Sequence, residues 1–362
     1  MTAPDQIGAQ SHAAPISMQV YGVGWPEVVE GDDLADLLLR TADLRDGDIV
    51  VVTSKVVSKS EGRTRRGDRD EHIAAETVRV VARRGGSAIV QTRHGLVLAA
   101  AGVDASNTPL GTVVLLPVDP DASARRLRER LYSLRGVNVA VVVSDTLGRA
   151  WRTGQTDVAI GCAGLEPIID LSHTHDRYGN ELRVTAPAIA DEVTGAADLV
   201  TGKLTDKPVA VVRGLSALVL DPADHGVGAV ALVRESSLDL FALGVREAAS
   251  AVAVRDDEAL RHVPDLATDE NVPWNRLASP HSDVTLSIEP GPAATPGRSW
   301  LVTVAVATDA QPDAYVAAGA LVERARTLAA AYGIAIHDEV RQGAPTHPGV
   351  IAVLRGTTPR AP

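Results

Sequence analysis

Hydrophobic positions along this 362-residue chain fall into short β-branched runs that alternate with segments of helical periodicity. DGDIVVVTSKVVSKSEGR, residues 46–63, sets a compact turn before such a run and reads as a buried strand. TVVLLPVD (112–119), VAVVVSD (139–145) and VAVVR (209–213) predict three more strands, the second of these ending on an aspartate. Between them, Asp32 and Asp33 cap a helix with the stripe Leu34, Leu37 and Leu38. TRRGDRD (64–70) reads as a charged loop, and 71–83 as a helix with Ile73, Val80 and Val81 on its apolar side. GLVLAAAGVDASN (95–107) runs from an apolar stretch into a turn of small residues. Asp119-Pro120-Asp121 starts a helix well, and Leu127, Leu131 and Leu134 line one face of it. A further helical pattern covers 190–202. Apolar runs alternating with helices predict a mixed α/β core whose sheet is covered on both faces.

The pattern changes after Arg255. Residues 256–282 are rich in Asp, Pro and Asn and read as a linker. Strands at 283–288, 300–307 and 349–354, with a helix near 313–332, predict a small second α/β unit. The organisation expected is therefore a frayed N-terminus over 1–17, a main domain over 18–255, the linker, and a C-terminal unit over 283–362. That unit carries no catalytic constellation, and reads as a dimerisation or partner-binding module before a regulatory lid.

Composition narrows the class. With 45% hydrophobic and 22% charged residues the chain is that of an ordinary globular protein. Its one cysteine, Cys162, allows neither an intrachain disulfide nor a cysteine-rich metal site, and a cytoplasmic location is expected. Residues 1–17 lack the pattern of a signal peptide, and no run reaches the roughly 18 apolar residues of a membrane helix. A net charge of −11 argues against nucleic acid as the main partner. Small anionic substrates then require local cations or metal ions to invert the potential.

Three nucleotide or nucleophile signatures are missing: GxxxxGK[ST], GxGxxG after a strand, and GxSxG. Asp145-Thr146 at the end of a buried run is a candidate for Mg²⁺, which prefers one or two carboxylates with phosphates and waters completing its shell. A turn aspartate capping the next segment is an equal reading on spacing alone. Small residues around Asp104, with Asn107 able to hydrogen-bond a base or sugar, suit a ligand; the same residues also suit an Asx-turn. Lys55, Lys59, Arg63, Arg65 and Arg66 form a cationic group interleaved with Ser54, Ser58 and Ser60. Lys55 and Lys59, in or just after an apolar strand, point to function, because an unpaired buried charge is costly. Val23-Gly24-Trp25-Pro26 is a rigid loop that packs on a purine ring or closes the core. The HTHD segment, His173 to Asp176, reads as a solvated loop rather than a zinc site.

Seven segments in order resemble the coenzyme F-420:L-glutamate ligase family. They are DGDIVVVTSKVVSKSEGR, AAAGVDASN, LLPVDPDASARRLR, VVSDTLGRAWRTGQTDVAIGCAGL, DRYGNELRVT, ADEVTGAADLVTGKL and PVAVVRGL, and the likeness spans roughly residues 18–250. The resemblance implies a GTP-dependent ligase acting as a homodimer with two divalent ions, Mg²⁺ or Mn²⁺, and with K⁺. It implies that Asp104 and Asp145 hold one divalent ion and that Thr146 helps hold a second. It implies GTP contacts from Val23, Gly24, Trp25, Pro26, Ser54, Lys59 and Asn107, and catalytic roles for Asp104, Asp145 and Lys59. Trp25 stands where a smaller apolar residue is usual, and Ser144 replaces the common threonine. Residues 256–362 are too short for the flavin-binding domain of the two-domain actinobacterial relatives, so no flavin is expected. Contacts that the family places near Arg213-Gly214-Leu215, to the third phosphate and second metal, have no residue-by-residue assignment. Other readings are the same chemistry on another acid acceptor, and a nucleotide sensor.

Overall fold

The computed structural model describes residues 17–235, 238–239, 241–244, 277, 281–290, 299–307, 309–331, 335–341 and 350–357. The expected frayed segment lies outside these except for Ser17, and the expected linker except for Leu277, His281 and Ser282. The chain separates into two compact units, Met1–Arg234 and Glu235–Pro362. Among the described residues, no helix is long and apolar enough to cross a membrane.

The first unit runs β1 (Gln19–Val23), α1 (Leu34–Thr41), β2 (Ile49–Thr53), α2 (Ser54–Ser60), β3 (Thr64–Arg66), α3 (Arg69–Glu76), β4 (Thr77–Arg84), β5 (Ser87–Thr92), β6 (Val97–Ala99), β7 (Thr112–Val114), α4 (Pro120–Arg135), β8 (Ala140–Gly148), β9 (Gln155–Ala163), α5 (Ile189–Thr201) and β10 (Val209–Arg213). This is the mixed α and β architecture that the apolar pattern predicts. A five-stranded sheet in the order β1-β10-β2-β8-β9 forms its centre; β2 and β8 are parallel and the other pairs antiparallel.

The continuous valine runs follow from burial on both sheet faces. Val50, Val52, Val141, Val143, Val209 and Val211 enter one core with Leu38 of α1 and Leu127 and Leu131 of α4. The intervening Ile49, Val51, Ala140, Val142, Ala210 and Val212 enter the other, with Ala190, Val193 and Ala197 of α5. Burying one such valine fully contributes about 1.5–3 kcal/mol. Asp119 caps α4 through Ala122 N–H, and Gly136, at φ 66°, ends it. Arg128, buried on α4, donates to the carbonyls of Val139, Leu220, Asp221 and Asp224, which satisfies its charge without a carboxylate.

Four local readings change. The strand expected over 46–63 ends at Thr53, and Ser54–Ser60 is helical, so Lys55 and Lys59 lie four apart on a helix. Adjacent Val56 and Val57 both enter the same core, which alternation along a strand forbids and a helical turn allows. Within the expected charged loop, Thr64–Arg66 pairs with β7. The helix expected over 71–83 stops at Glu76, and the β-branched TVRVV that follows forms a hairpin with β5 around Gly85-Gly86. Finally, β8 does not end at Asp145. It continues to Gly148 in a hairpin with β9, Thr146 facing Asp157 in register.

In the second unit, β11 (Val284–Pro290), β12 (Ser299–Val306), β13 (Ala335–Arg341) and β14 (Val350–Thr357) form an antiparallel sheet in the order β11-β12-β14-β13. Helix α6 (Pro312–Ala331) packs Ala314, Ala318, Leu321, Val322 and Ala325 against Val284, Val302, Val304, Val306 and Leu354. Edge strand β13 escapes the apolar pattern because Asp338, Glu339 and Arg341 break it, as edge strands commonly do.

Candidate active site

The parallel pairing of β2 with β8 ends at Thr53–Ser144, and β10 begins at the same end of the sheet, Val209 opposite Val52. Beyond that end the first unit holds a cavity of about 900 Å³, within the range of small-molecule sites. Helix α2, the 102–109 turn, the β8–β9 hairpin and the loop after α5 surround it. Trp25, Pro26, Ser54, Lys59, Asp104, Asn107, Asp145 and Thr146, all singled out from sequence, line it. Val23 and Gly24 do not: Val23 is buried in the core, and Gly24 lies on an exposed stretch. Trp25 closes the core, one of its two readings. It is only 7% exposed, its indole N–H donates to Thr41 Oγ1 at 3.0 Å, and it still borders the cavity.

The carboxylates divide by their partners. Asp104 forms an Asx-turn, with Ser106 N–H on Oδ1 at 2.7 Å, while Lys55 Nζ and Ser106 Oγ approach Oδ2 at 2.8 and 3.0 Å. Burial alone would raise its carboxyl, but Lys55 and the Ser106 donors outweigh burial and hold it below the usual range. Asp145 accepts the Ser54 hydroxyl at 2.9 Å and has no cationic side chain paired with it among the described residues. Burial pushes the Asp145 carboxyl up to about 6; the charges of Asp157 and Asp104 add to this, and Ser54 opposes it. Asp198 is raised too, first by burial and then by Asp157, with Lys203 opposing.

Cations come from two elements, α2 and the loop after α5. Lys59 Nζ donates to Glu27 Oε1 at 2.9 Å and to the Asn107 carbonyl at 3.2 Å, joining the N-terminal loop to the 102–109 turn. Asn107 holds φ 53°, a left-handed conformation that asparagine tolerates. Lys203 and Lys207 enter from the loop after α5, and Trp25 N–H donates to Asp206 O at 3.2 Å, tying that loop to the 23–26 segment.

A divalent cation suits Asp104 and Asp145. Both offer hard carboxylate oxygens to one cavity, and Asp145 is largely shielded from water and lies beside other acidic groups. Among the described residues, no three His, Cys, Asp or Glu side chains converge as they would on a closed metal site. The donor set therefore fits an ion whose shell a phosphate completes.

Residues Asp157, Asp198, Lys203 and Lys207 join this site without having been singled out. Asp157 accepts both Ser144 Oγ at 3.0 Å and Thr146 Oγ1 at 2.7 Å. The Arg149-to-Gly154 turn between two β-rich runs is the hairpin signal that would have placed it. Arg213 lies away from the cavity. β10 runs antiparallel to β2, which leaves Pro208 at the cavity end and Arg213 at the other, bound to Asp48 at 2.7 Å. The segment that reaches the cavity is the one before the strand. In the HTHD loop, exposed His173 pairs with Glu181 at 2.9 Å.

A small-molecule cavity of this kind, lined by carboxylates and lysines at the end of a mixed sheet, defines the class, and the chain belongs to the F420-0:gamma-glutamyl ligase family, whose model matches residues 22–75 and 70–214. It is similar to proteins named coenzyme F420:L-glutamate ligase. Identity is 40% over 220 residues with the protein of Archaeoglobus fulgidus, covering 55% of this chain and 88% of the relative. It is 38% over 236 residues with that of Methanopyrus kandleri, covering 59% and 93%, and 39% over 258 residues with that of Haloarcula marismortui, covering 64% and 98%.

Proposed function

We propose that this protein forms an amide bond between L-glutamate and the glutamate-free precursor of coenzyme F-420, consuming GTP. The observation that carries this reading is one cavity in which several carboxylates and lysines meet, in a chain whose relatives bear that ligase name. A carboxylate does not condense with an amine at neutral pH, because oxide is a poor leaving group. Attack of the precursor's carboxylate oxygen on the γ-phosphorus of GTP would form an acyl phosphate and release GDP. The glutamate amine then attacks the acyl carbon, loses a proton, and phosphate departs with the carboxylate's oxygen.

The first step brings anions together, so charge neutralisation and alignment dominate it. Asp104 and Asp145 would hold a divalent ion, which when bound supplies positive charge to the phosphates. Lys59 is held in place by Glu27 and the Asn107 carbonyl, and adds a fixed charge at the cavity wall. Trp25 and Pro26 supply an apolar surface for the base, and Asn107 a polar group beside it. A homodimer belongs to the same proposal: Trp151, at the tip of the β8–β9 hairpin, is 91% exposed. Such an apolar tip suits a contact between copies.

The test uses purified protein with GTP, Mn²⁺, L-glutamate and precursor labelled with ¹⁸O in its carboxylate. A product heavier by glutamyl units, GDP, and label in the released phosphate are expected. Product without label in phosphate would overturn the acyl phosphate; nucleotide binding without product would overturn the ligase reading.

A further inference from the structure

Guanine and adenine differ along one ring edge. Guanine presents two donors there, N1–H and the 2-amino group, whereas adenine presents a bare N1 acceptor. A carboxylate only accepts, so it suits the first and repels the second. Glu27 borders the cavity directly after Trp25 and Pro26, whose apolar surface is proposed above for the base. Trp25 and Val28 are buried, so Pro26 and Glu27 form an exposed crest between two anchors. Trp25 is tied on two sides, its indole N–H to Thr41 and its backbone N–H to Asp206 O. Glu27 Oε1 accepts from Lys59 Nζ at 2.9 Å, and Lys59 also donates to the Asn107 carbonyl. Glu27 Oε2 has no hydrogen-bond or ion-pair partner among the described residues, and the side chain is 69% exposed, which leaves that oxygen open to a ligand. Other acids of the cavity are engaged: Asp104 by Lys55 and Ser106, Asp145 by Ser54, and Asp157 by Ser144 and Thr146.

We propose that Glu27 reads the guanine base, with N1–H donating to Oε1 and the 2-amino group to Oε2. This rests on the nucleotide site proposed above. A carboxylate oxygen has two lone pairs, so Oε1 accepts from Lys59 and from N1–H together, and Lys59 orients the carboxylate. Helix α2 then serves both ends of the nucleotide. Lys55, on Asp104, stands at the phosphate end, and Lys59, on Glu27, stands one helical turn further along, about 6 Å, at the base end.

Titration calorimetry on the full-length protein with Mn²⁺, and without precursor or glutamate, tests the proposal with three nucleotides. They are GTP, ITP, which lacks the 2-amino group, and XTP, which carries a carbonyl in its place. Wild type is expected to prefer GTP over ITP and XTP by about 10-fold or more. Glu27→Gln turns the Oε2 acceptor into an N–H donor and is expected to bind XTP more tightly than GTP; that gain also shows that the site is folded. Glu27→Gln still preferring GTP, or losing GTP without gaining XTP, would overturn the proposal. So would the switch to XTP appearing in Asp206→Asn instead, since Asp206 also borders the cavity. Wild type binding all three nucleotides alike would overturn base reading and leave the nucleotide site standing. No nucleotide bound by wild type would sink both.

Discussion

Asp145→Asn removes one charge and keeps the side chain's shape, including the oxygen that accepts the Ser54 hydroxyl at 2.9 Å. Two opposite consequences follow. In metal-free protein the folded state holds the Asp145 proton up to about pH 6, against 3.8 for the free side chain. Between those values the folded chain binds more protons than the unfolded chain. Stability therefore falls as pH rises through that window, and the full penalty is present above it. A shift of roughly two units corresponds to about 3 kcal/mol. Because the side chain borders an open cavity, screening reduces the expectation to about 1–2 kcal/mol. Urea denaturation in chelator should show Asp145→Asn more stable than wild type by that amount near pH 7.5, with the difference closing towards about pH 4. Mn²⁺ with GTP should stabilise wild type and leave the variant unchanged, since only a state that binds ligand gains from it. Turnover should fall by at least about 100-fold, the upper range for groups that merely support a metal ligand. A variant no more stable than wild type near neutral pH, or a gap that does not close on acidification, would refute the desolvated-anion account. A folded variant with full turnover would remove Asp145 from the reaction.

Two further substitutions probe the scaffold. Ser58 is fully buried and its hydroxyl has no hydrogen-bond partner among the described residues, so Ser58→Ala should raise stability by up to about 1 kcal/mol in urea titration. A clear loss would reveal a partner for that hydroxyl. At Gly161 an added Cβ would meet the Pro120 carbonyl oxygen at 2.3 Å. Gly161→Ala should therefore push α4 from β9 and lower the thermal midpoint, at a cost of about 1–3 kcal/mol; an unchanged midpoint would mean that the helix yields freely.

The sequence alone determined the elements whose burial is complete and local. β2, β8 and β10 are valine runs because both faces of the sheet are covered, and α4 carries its cap and its stop in its own residues. It also marked many of the residues that line the cavity, because carboxylates and lysines beside apolar runs are costly unless they are used. Tertiary structure decided the rest. Whether SKVVSKS continued a strand or turned into a helix depended on where parallel pairing stopped, which no local period records. Asp157 gained its place only when the β8–β9 hairpin set it opposite Thr146. Lys203 and Lys207 reached the site because β10 runs antiparallel to β2, which brings the chain before the strand to the cavity and carries Arg213 to the far end. Strand direction is a property of pairing between distant segments, so the second half of the site's charge was set by the fold rather than by any motif.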